Sequence, residues 1–257
     1  MRILCLHGCG TNSDVFEAQL APLINRLPKN YKFDFLDGEH TVAAAPGIGL
    51  LHPGPYFAWH RRHFTKDIQA AHDYINSVIE EDGPYDGVIG YSQGAALAAS
   101  LLLSQLDRQP HRPRPFRFAI FICSVMPVSP SRQVGTPGTS QAMEYEEKFA
   151  EFFGLSRKDI ATGPGSEVVH FYKPVGSIAL SEDTSGADTK IDIPTLHLLG
   201  AQDQFLSFGH YLVNLCEEWK TEVVVSQCGH ELPRSKDSID RAAALVERLV
   251  ESSNLDY

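Results

Sequence analysis

Positive charge is in short supply in this sequence. Its 22 lysines and arginines face 32 aspartates and glutamates, for a formal net charge of -10, so it lacks the broad positive field that holds a polyanion and nucleic acid is not expected as a partner. The local basic pairs are few. Arg61 and Arg62 adjoin, and an anionic substrate arm could dock there, although a surface role is the commoner one. Arg112 and Arg114 sit in the proline-broken run 109–115, which reads as a solvated loop. Paired cysteine spacing is missing as well: Cys5, Cys9, Cys123, Cys216 and Cys228 are odd in number and form no C-x-x-C, which indicates neither a disulfide framework nor a zinc knuckle. Reduced, buried thiols are expected instead. No run nears the roughly 18 apolar residues of a membrane helix, so no membrane partner is expected. An apolar strand pattern begins almost at Met1 and leaves no room for a separate signal segment; cytoplasmic residence is the default expectation. The sequence holds no visible internal repeat and gives no sign of oligomeric state.

What the chain does have is ordinary globular composition, 43% hydrophobic and 21% charged over 257 residues. That is enough for one large core, so residues 1–257 are expected to form a single domain. Residues 2–7, 31–36, 85–90, 116–123, 193–200 and 222–226 read as strands. Amphipathic helices are predicted from residue 13 until Pro28, with Pro22 kinking or splitting the first, and over 65–81, 94–106, 208–219 and 238–250. Alternation of strand and helix predicts a mostly parallel sheet with helices on both faces. Two stretches resist this pattern. Residues 37–64 are rich in Gly, Pro and aromatics and read as a long functional loop. Residues 125–189 are too long for a connection; with a helix over 141–153 and a polar run over 181–190, they read as an insertion, a lid or cap before the strand at 193–200.

The chemistry concentrates where strands end. Gly90-Tyr91-Ser92-Gln93-Gly94 is a G-x-S-x-G motif between a strand and a helix, the context in which a sharp turn lifts the serine hydroxyl clear of the sheet. A serine hydroxyl needs a base. His230 follows the last strand in Cys228-Gly229-His230, whereas His197 lies in a strand and His210 in a helix, where structural roles fit better. Asp203 follows the strand 193–200 and can orient the imidazole, although capping the next helix is its blander use; Glu231 is a weaker substitute. The order Ser92, Asp203, His230 is that of α/β-hydrolases. For the developing oxyanion the backbone N–H of Gln93 is the first candidate. The run His7-Gly8-Cys9-Gly10 supplies the second through the amide of Cys9, or else of Gly10. His7 and His60-x-x-His63 lack the carboxylate set of a metal site, and no metal is expected.

With those residues in place, the sequence resembles the fungal serine hydrolase (FSH) family, whose relatives include the human ovarian-tumour-associated hydrolase and esterases of polyketide gene clusters. The resemblance rests on Leu4-Cys5-Leu6-His7-Gly8, on the run from Gly83 through Tyr91-Ser92-Gln93 to Ala96, on Gly200 to Asp203 and on Gly229-His230. It implies an α/β-hydrolase fold, the triad Ser92, Asp203 and His230, and hydrolysis of esters or carrier-bound acyl thioesters without metal or organic cofactor.

The leading expectation is therefore a serine esterase or thioesterase that works through an acyl-enzyme on a small-molecule or carrier-bound acyl substrate, in polyketide or other secondary metabolism. Tyr56, Phe57, Trp59, Phe149, Phe152 and Phe153 are candidates to wall its pocket, each as readily explained by core packing. The alternatives keep the same triad for C–C bond cleavage or cyclisation of a polyketide-like substrate, or keep only the fold, as a non-catalytic binding protein.

Overall fold

A computed structural model describes residues 1–130, 136–137, 140–154, 170–172 and 189–255. Six strands form one all-parallel sheet in the order β10-β9-β6-β5-β1-β2: β1 (Arg2–Leu6), β2 (Lys32–Leu36), β5 (Gly87–Tyr91), β6 (Phe118–Ile122), β9 (Thr195–Gly200) and β10 (Thr221–Ser226). Each of the six corresponds to a strand expected from the sequence. The period-two alternation of side chains explains the layering. Leu4 and Leu6 of β1 turn to one face, with α2 (Thr65–Asp82), α3 (Gln93–Arg108) and α5 (Leu206–Asn214). Ile3 and Cys5 turn to the other, where α1 (Ser13–Ile24) and α6 (Lys236–Leu255) supply Phe16, Leu20, Ala242 and Val246.

The first helix departs from the sequence expectation. It runs unbroken through Pro22, which lies in its last turn. Val15, Phe16, Leu20 and Leu23 are buried on one side of it, and that packing outweighs one missing N–H donor. Asn12 caps its start by accepting the N–H of Val15 at 2.8 Å. The helix expected over 208–219 is shorter, ending at Asn214, and Glu218–Lys220 forms a separate 3₁₀ turn.

The stretch 37–64 is more regular than its composition suggests. His40–Val42 (β3) pairs antiparallel with Tyr56–Ala58 (β4), and a 3₁₀ turn, Ile48–Leu50, lies between them. Arg61 donates to the carbonyl of Thr41 and Arg62 pairs with Asp67, so both basic side chains have structural partners. Of the insertion, the described residues include Thr136–Pro137 (β7) pairing with His170–Phe171 (β8) and the helix Ser140–Phe153 (α4). The polar run expected over 181–190 lies mostly outside the described residues. Among the described residues no helix is long and apolar enough to cross a membrane.

β1 has β2 on one side and β5 on the other, so the chain reverses its direction of travel across the sheet there. In open parallel sheets ligands bind beyond the C-terminal strand ends at such a switch point. Gly8 and Cys9 follow β1 and Ser92 follows β5, on the two flanks of that crevice.

Candidate active site

Ser92 stands between β5 and α3 with φ 53° and ψ -114°, in the left-handed half of the map where a non-glycine residue is strained. The glycines around it have a steric reason. A Cβ on Gly90 would lie 2.4 Å from the Ala95 Cα, and one on Gly94 would lie 2.2 Å from the Leu6 carbonyl oxygen. The turn is therefore wedged between its own helix and β1, which forces the hydroxyl outward at the sheet edge. Ser92 is 8% exposed.

Asp203 lies in the turn after β9 and His230 in the loop after β10, and the fold brings both to Ser92. His230 Nε2 is 2.9 Å from Ser92 Oγ, and His230 Nδ1 is 2.9 Å from Asp203 Oδ2. A carboxylate can only accept, so Nδ1 carries the proton and Nε2 presents its lone pair to the serine hydroxyl. The other carboxylate oxygen, Oδ1, accepts the N–H of Phe205 at 2.7 Å. That bond closes the turn ahead of α5, whose N-cap is Phe205 without a side-chain cap bond, so Asp203 does not cap the helix as its blander reading had it, and it faces the imidazole. His197 is fully buried within β9 beside the Cys216 thiol, and His210 is exposed on α5.

Two features of the imidazole's setting have no signal in the sequence. Tyr91 donates its hydroxyl to the His230 carbonyl at 2.7 Å, and its ring lies 5.5 Å from the imidazole. Phe205 and Phe152 stand edge-on to the same ring at 5.0 and 5.6 Å. The base is therefore held by main-chain and ring contacts from β5, α4 and the turn after β9. Cys123, at φ 45°, completes a group with Asp203 and His230 whose donor atoms lie within 4.8 Å of one another. Burial holds its thiol well above the usual range, and the carboxylate and imidazole are bonded to each other.

The amides that could hold an oxyanion are placed as follows. Gln93 is the first residue of α3, where helical N–H groups have no intrahelical acceptor. Gly10 N–H donates to the Phe57 carbonyl at 2.9 Å, so its amide is already used and Cys9 is left as the candidate of the two. Burial pushes the Cys9 thiol up to about 12, which leaves that side chain a neutral, unreactive thiol beside its amide. His7 is fully buried; its Nε2 accepts the Gly38 N–H at 2.9 Å, which leaves the proton on Nδ1 to donate to the Gly8 carbonyl at 2.8 Å.

Of the aromatic candidates, Phe152 is the one in contact with the imidazole. Phe153 packs on Phe149 at 4.7 Å and on Phe152 at 5.0 Å. Phe149 is buried against Tyr145 and His63. Tyr56 donates to the His52 carbonyl, and Phe57 pairs through its main chain with the loop after β1. Trp59 is buried, its indole N–H bonded to the His7 carbonyl at 2.7 Å. His60 and His63 meet edge-on at 5.2 Å, and His63 Nε2 meets the Tyr145 hydroxyl at 3.2 Å.

Comparison with known proteins agrees with this architecture. A family model described as Serine hydrolase (FSH1) matches residues 1–242. The chain is 33% identical to esterase FPY3 of Fusarium mangiferae, covering 97% of each sequence. It is 30% identical to esterase alnB of Emericella nidulans, covering 100% of this chain and 99% of the other. Among solved structures, the monoacylglycerol lipase of Paleococcus ferrophilus superposes with a TM-score of 0.53 at 15% identity over 97% of this chain and 94% of that one. A carboxylesterase of Mesorhizobium loti gives 0.52 at 18% identity over 96% and 88%. Both likenesses concern the fold, which is that of the α/β-hydrolases.

Proposed function

The chain belongs to the FSH1 serine hydrolase family, and from that premise we propose that Ser92, His230 and Asp203 form its catalytic triad, acting on a carboxylic ester or acyl thioester through an acyl-enzyme. The observation that carries this is the unbroken line from Ser92 Oγ through His230 to Asp203, with 2.9 Å at each step. As Ser92 Oγ bonds to the carbonyl carbon, its proton passes to His230 Nε2 and the carbonyl electron pair moves onto oxygen, facing the amides of Gln93 and Cys9. Asp203 holds the imidazolium in place without itself taking the proton. Collapse of the intermediate expels the alcohol or thiol, which leaves with the proton from Nε2. Water then attacks the acyl-enzyme with His230 as base.

The insertion serves as a lid in this reading, supported by the place of α4: it lays Phe152 against the imidazole and so screens the triad from water. Phe149, Phe152 and Phe153 would form the apolar side of an acyl pocket. The secondary-metabolite setting and the carrier-bound thioester rest on the family resemblance, and the esterase names of the two curated relatives support ester cleavage.

Ser92→Ala should abolish turnover of short p-nitrophenyl esters and of N-acetylcysteamine thioesters while the thermal melt is kept. Full residual turnover would refute the assignment of the nucleophile. A fluorophosphonate probe should label the native chain and not the variant; absence of labelling favours the binding-protein alternative. Product analysis with polyketide-like thioesters, showing carbon–carbon cleavage or a cyclised product instead of a free acid, would replace hydrolysis as the reaction.

A further inference from the structure

The chemistry above uses the backbone of Gln93 and leaves its side chain unexplained, although that residue is 1% exposed and both ends of its carboxamide are engaged. Oε1 accepts the Trp59 N–H at 3.0 Å, and Nε2 donates to the His60 carbonyl at 2.9 Å. Trp59 then reaches the loop on the other side of the crevice. Its indole N–H donates to the His7 carbonyl at 2.7 Å, and its ring lies 4.9 Å from the His7 ring. Two main-chain bonds tie Phe57, two residues earlier, into the same loop: Gly10 N–H to the Phe57 carbonyl at 2.9 Å, and Phe57 N–H to the Thr11 carbonyl at 2.7 Å.

The two amides aimed at an oxyanion come from different loops, Cys9 after β1 and Gln93 after β5, and no covalent link sets the gap between them. Residues 57–60 touch both loops. We infer that the Gln93 carboxamide and the Trp59 indole are positioning residues that splint the oxyanion hole, fixing the separation of its two donors. This inference rests on the triad reading above. The physical need is tight: a donor stabilises the oxyanion only when it lies about 2.7–3.1 Å from where that oxygen will sit. Buried bonds suit the task, because breaking one leaves a polar group without a partner and water out of reach. It also gives a reason for the aromatic-rich loop to form a three-residue strand bonded to the loop after β1.

The test uses Trp59→Phe, which keeps a ring and deletes the indole donor, and Gln93→Met, which keeps the length and deletes both bonds. Removing an oxyanion donor outright lowers kcat by about 100- to 1000-fold; loosening the splint should lower it by about 10- to 100-fold with KM within about twofold. Affinity for an acyl trifluoromethyl ketone should fall in parallel, because Ser92 adds to it and leaves a negative oxygen in the hole. Affinity for the corresponding secondary alcohol, which forms no oxyanion, should hold. Equal weakening of ketone and alcohol, or unchanged kcat in a folded Trp59→Phe variant, would overturn the inference. Should Gln93→Met fail to fold, Gln93→Glu retains an acceptor for Trp59 and loses the donor to His60, and must show the same split. Full turnover by Ser92→Ala sinks the triad reading instead, so the two failures are separable.

Discussion

Tyr91 occupies a position that G-x-S-x-G leaves open, yet its hydroxyl reaches from the nucleophile's strand to the carbonyl of His230. Burial holds that phenol well above its usual range, so it stays a donor at any working pH. Tyr91→Phe should free the histidine loop from β5 and leave a carbonyl short of a partner, a loss of about 0.5–1.5 kcal/mol. The expected result is a kcat lowered several-fold at constant KM, read from steady-state ester hydrolysis; an unchanged kcat would show that the loop is fixed by packing alone. Gly94 tests the opposite kind of constraint. A methyl there meets the carbonyls of Leu6 and His7 at 2.2 and 2.6 Å, main-chain atoms that cannot swing aside. Gly94→Ala should therefore cost more than about 3 kcal/mol, beyond the usual range for an added methylene, and a urea midpoint equal to that of the native chain would refute it. Such residues explain what was legible. That Ser92, Asp203 and His230 meet at one sheet edge could be anticipated, because each sits just past a strand, in a turn that the sequence marks with glycine. Tyr91 and the Gln93 side chain could not, because their partners lie 139 and 33–34 residues away and carry no periodic signal.

Periodicity decided how well each element could be read. The six strands of the main sheet are five or six residues long, largely apolar or, as in β2, alternating, and α2 and α3 carry stripes at helical spacing, so sequence and structure agree on them. β3 and β4 are three residues each, too short for a period-two pattern to emerge, and proline and glycine between them mask the pairing. The expectation of a break at Pro22 failed for a related reason: local chemistry opposes the helix there, and the buried face of α1, which only the tertiary fold creates, wins. α4 has a clear stripe, but its docking surface could not be read from the pattern. Tyr145, Phe149 and Phe152 meet His63, Phe208 and Phe205 from elements far off in sequence. Phe152→Ala removes the ring edge-on to His230 and should widen the space beside the imidazole. Turnover of bulky aryl esters should rise relative to acetate, by several-fold in kcat/KM, while the short ester slows as water enters. A selectivity unchanged across an ester series of increasing chain length would show that α4 does not border the acyl site.

At the scale of the whole molecule, the fold hides five histidines. Burial lowers His60 to about 4, His72 to about 3 and His197 to about 3, with His7 and His63 lowered for the same reason. Among the described residues Nδ1 of His60, of His63 and of His197 is buried without a hydrogen-bond partner, so a charge added there is poorly compensated. In the unfolded chain these rings titrate near 6.5. Between that value and the folded ones the unfolded state binds more protons, so stability rises with pH across the window and is lost as pH falls through it. Each such ring contributes up to about 1.4 kcal/mol per pH unit there. The net charge of -10 acts in the other sense, since protonation toward pH 5 relieves the self-repulsion of an acidic chain. The two effects therefore predict opposite slopes, and the size of the histidine contribution decides between them: the urea midpoint should fall steeply from pH 6.5 to 4.5. His72 offers the cleanest check, because its Nε2 bonds the Ser100 hydroxyl at 2.9 Å and a glutamine amide can replace that contact. His72→Gln should flatten the slope by about one proton while leaving stability at pH 8 nearly unchanged; the same slope in variant and native chain would mean that His72 is solvated and that the histidine account of acid sensitivity is wrong.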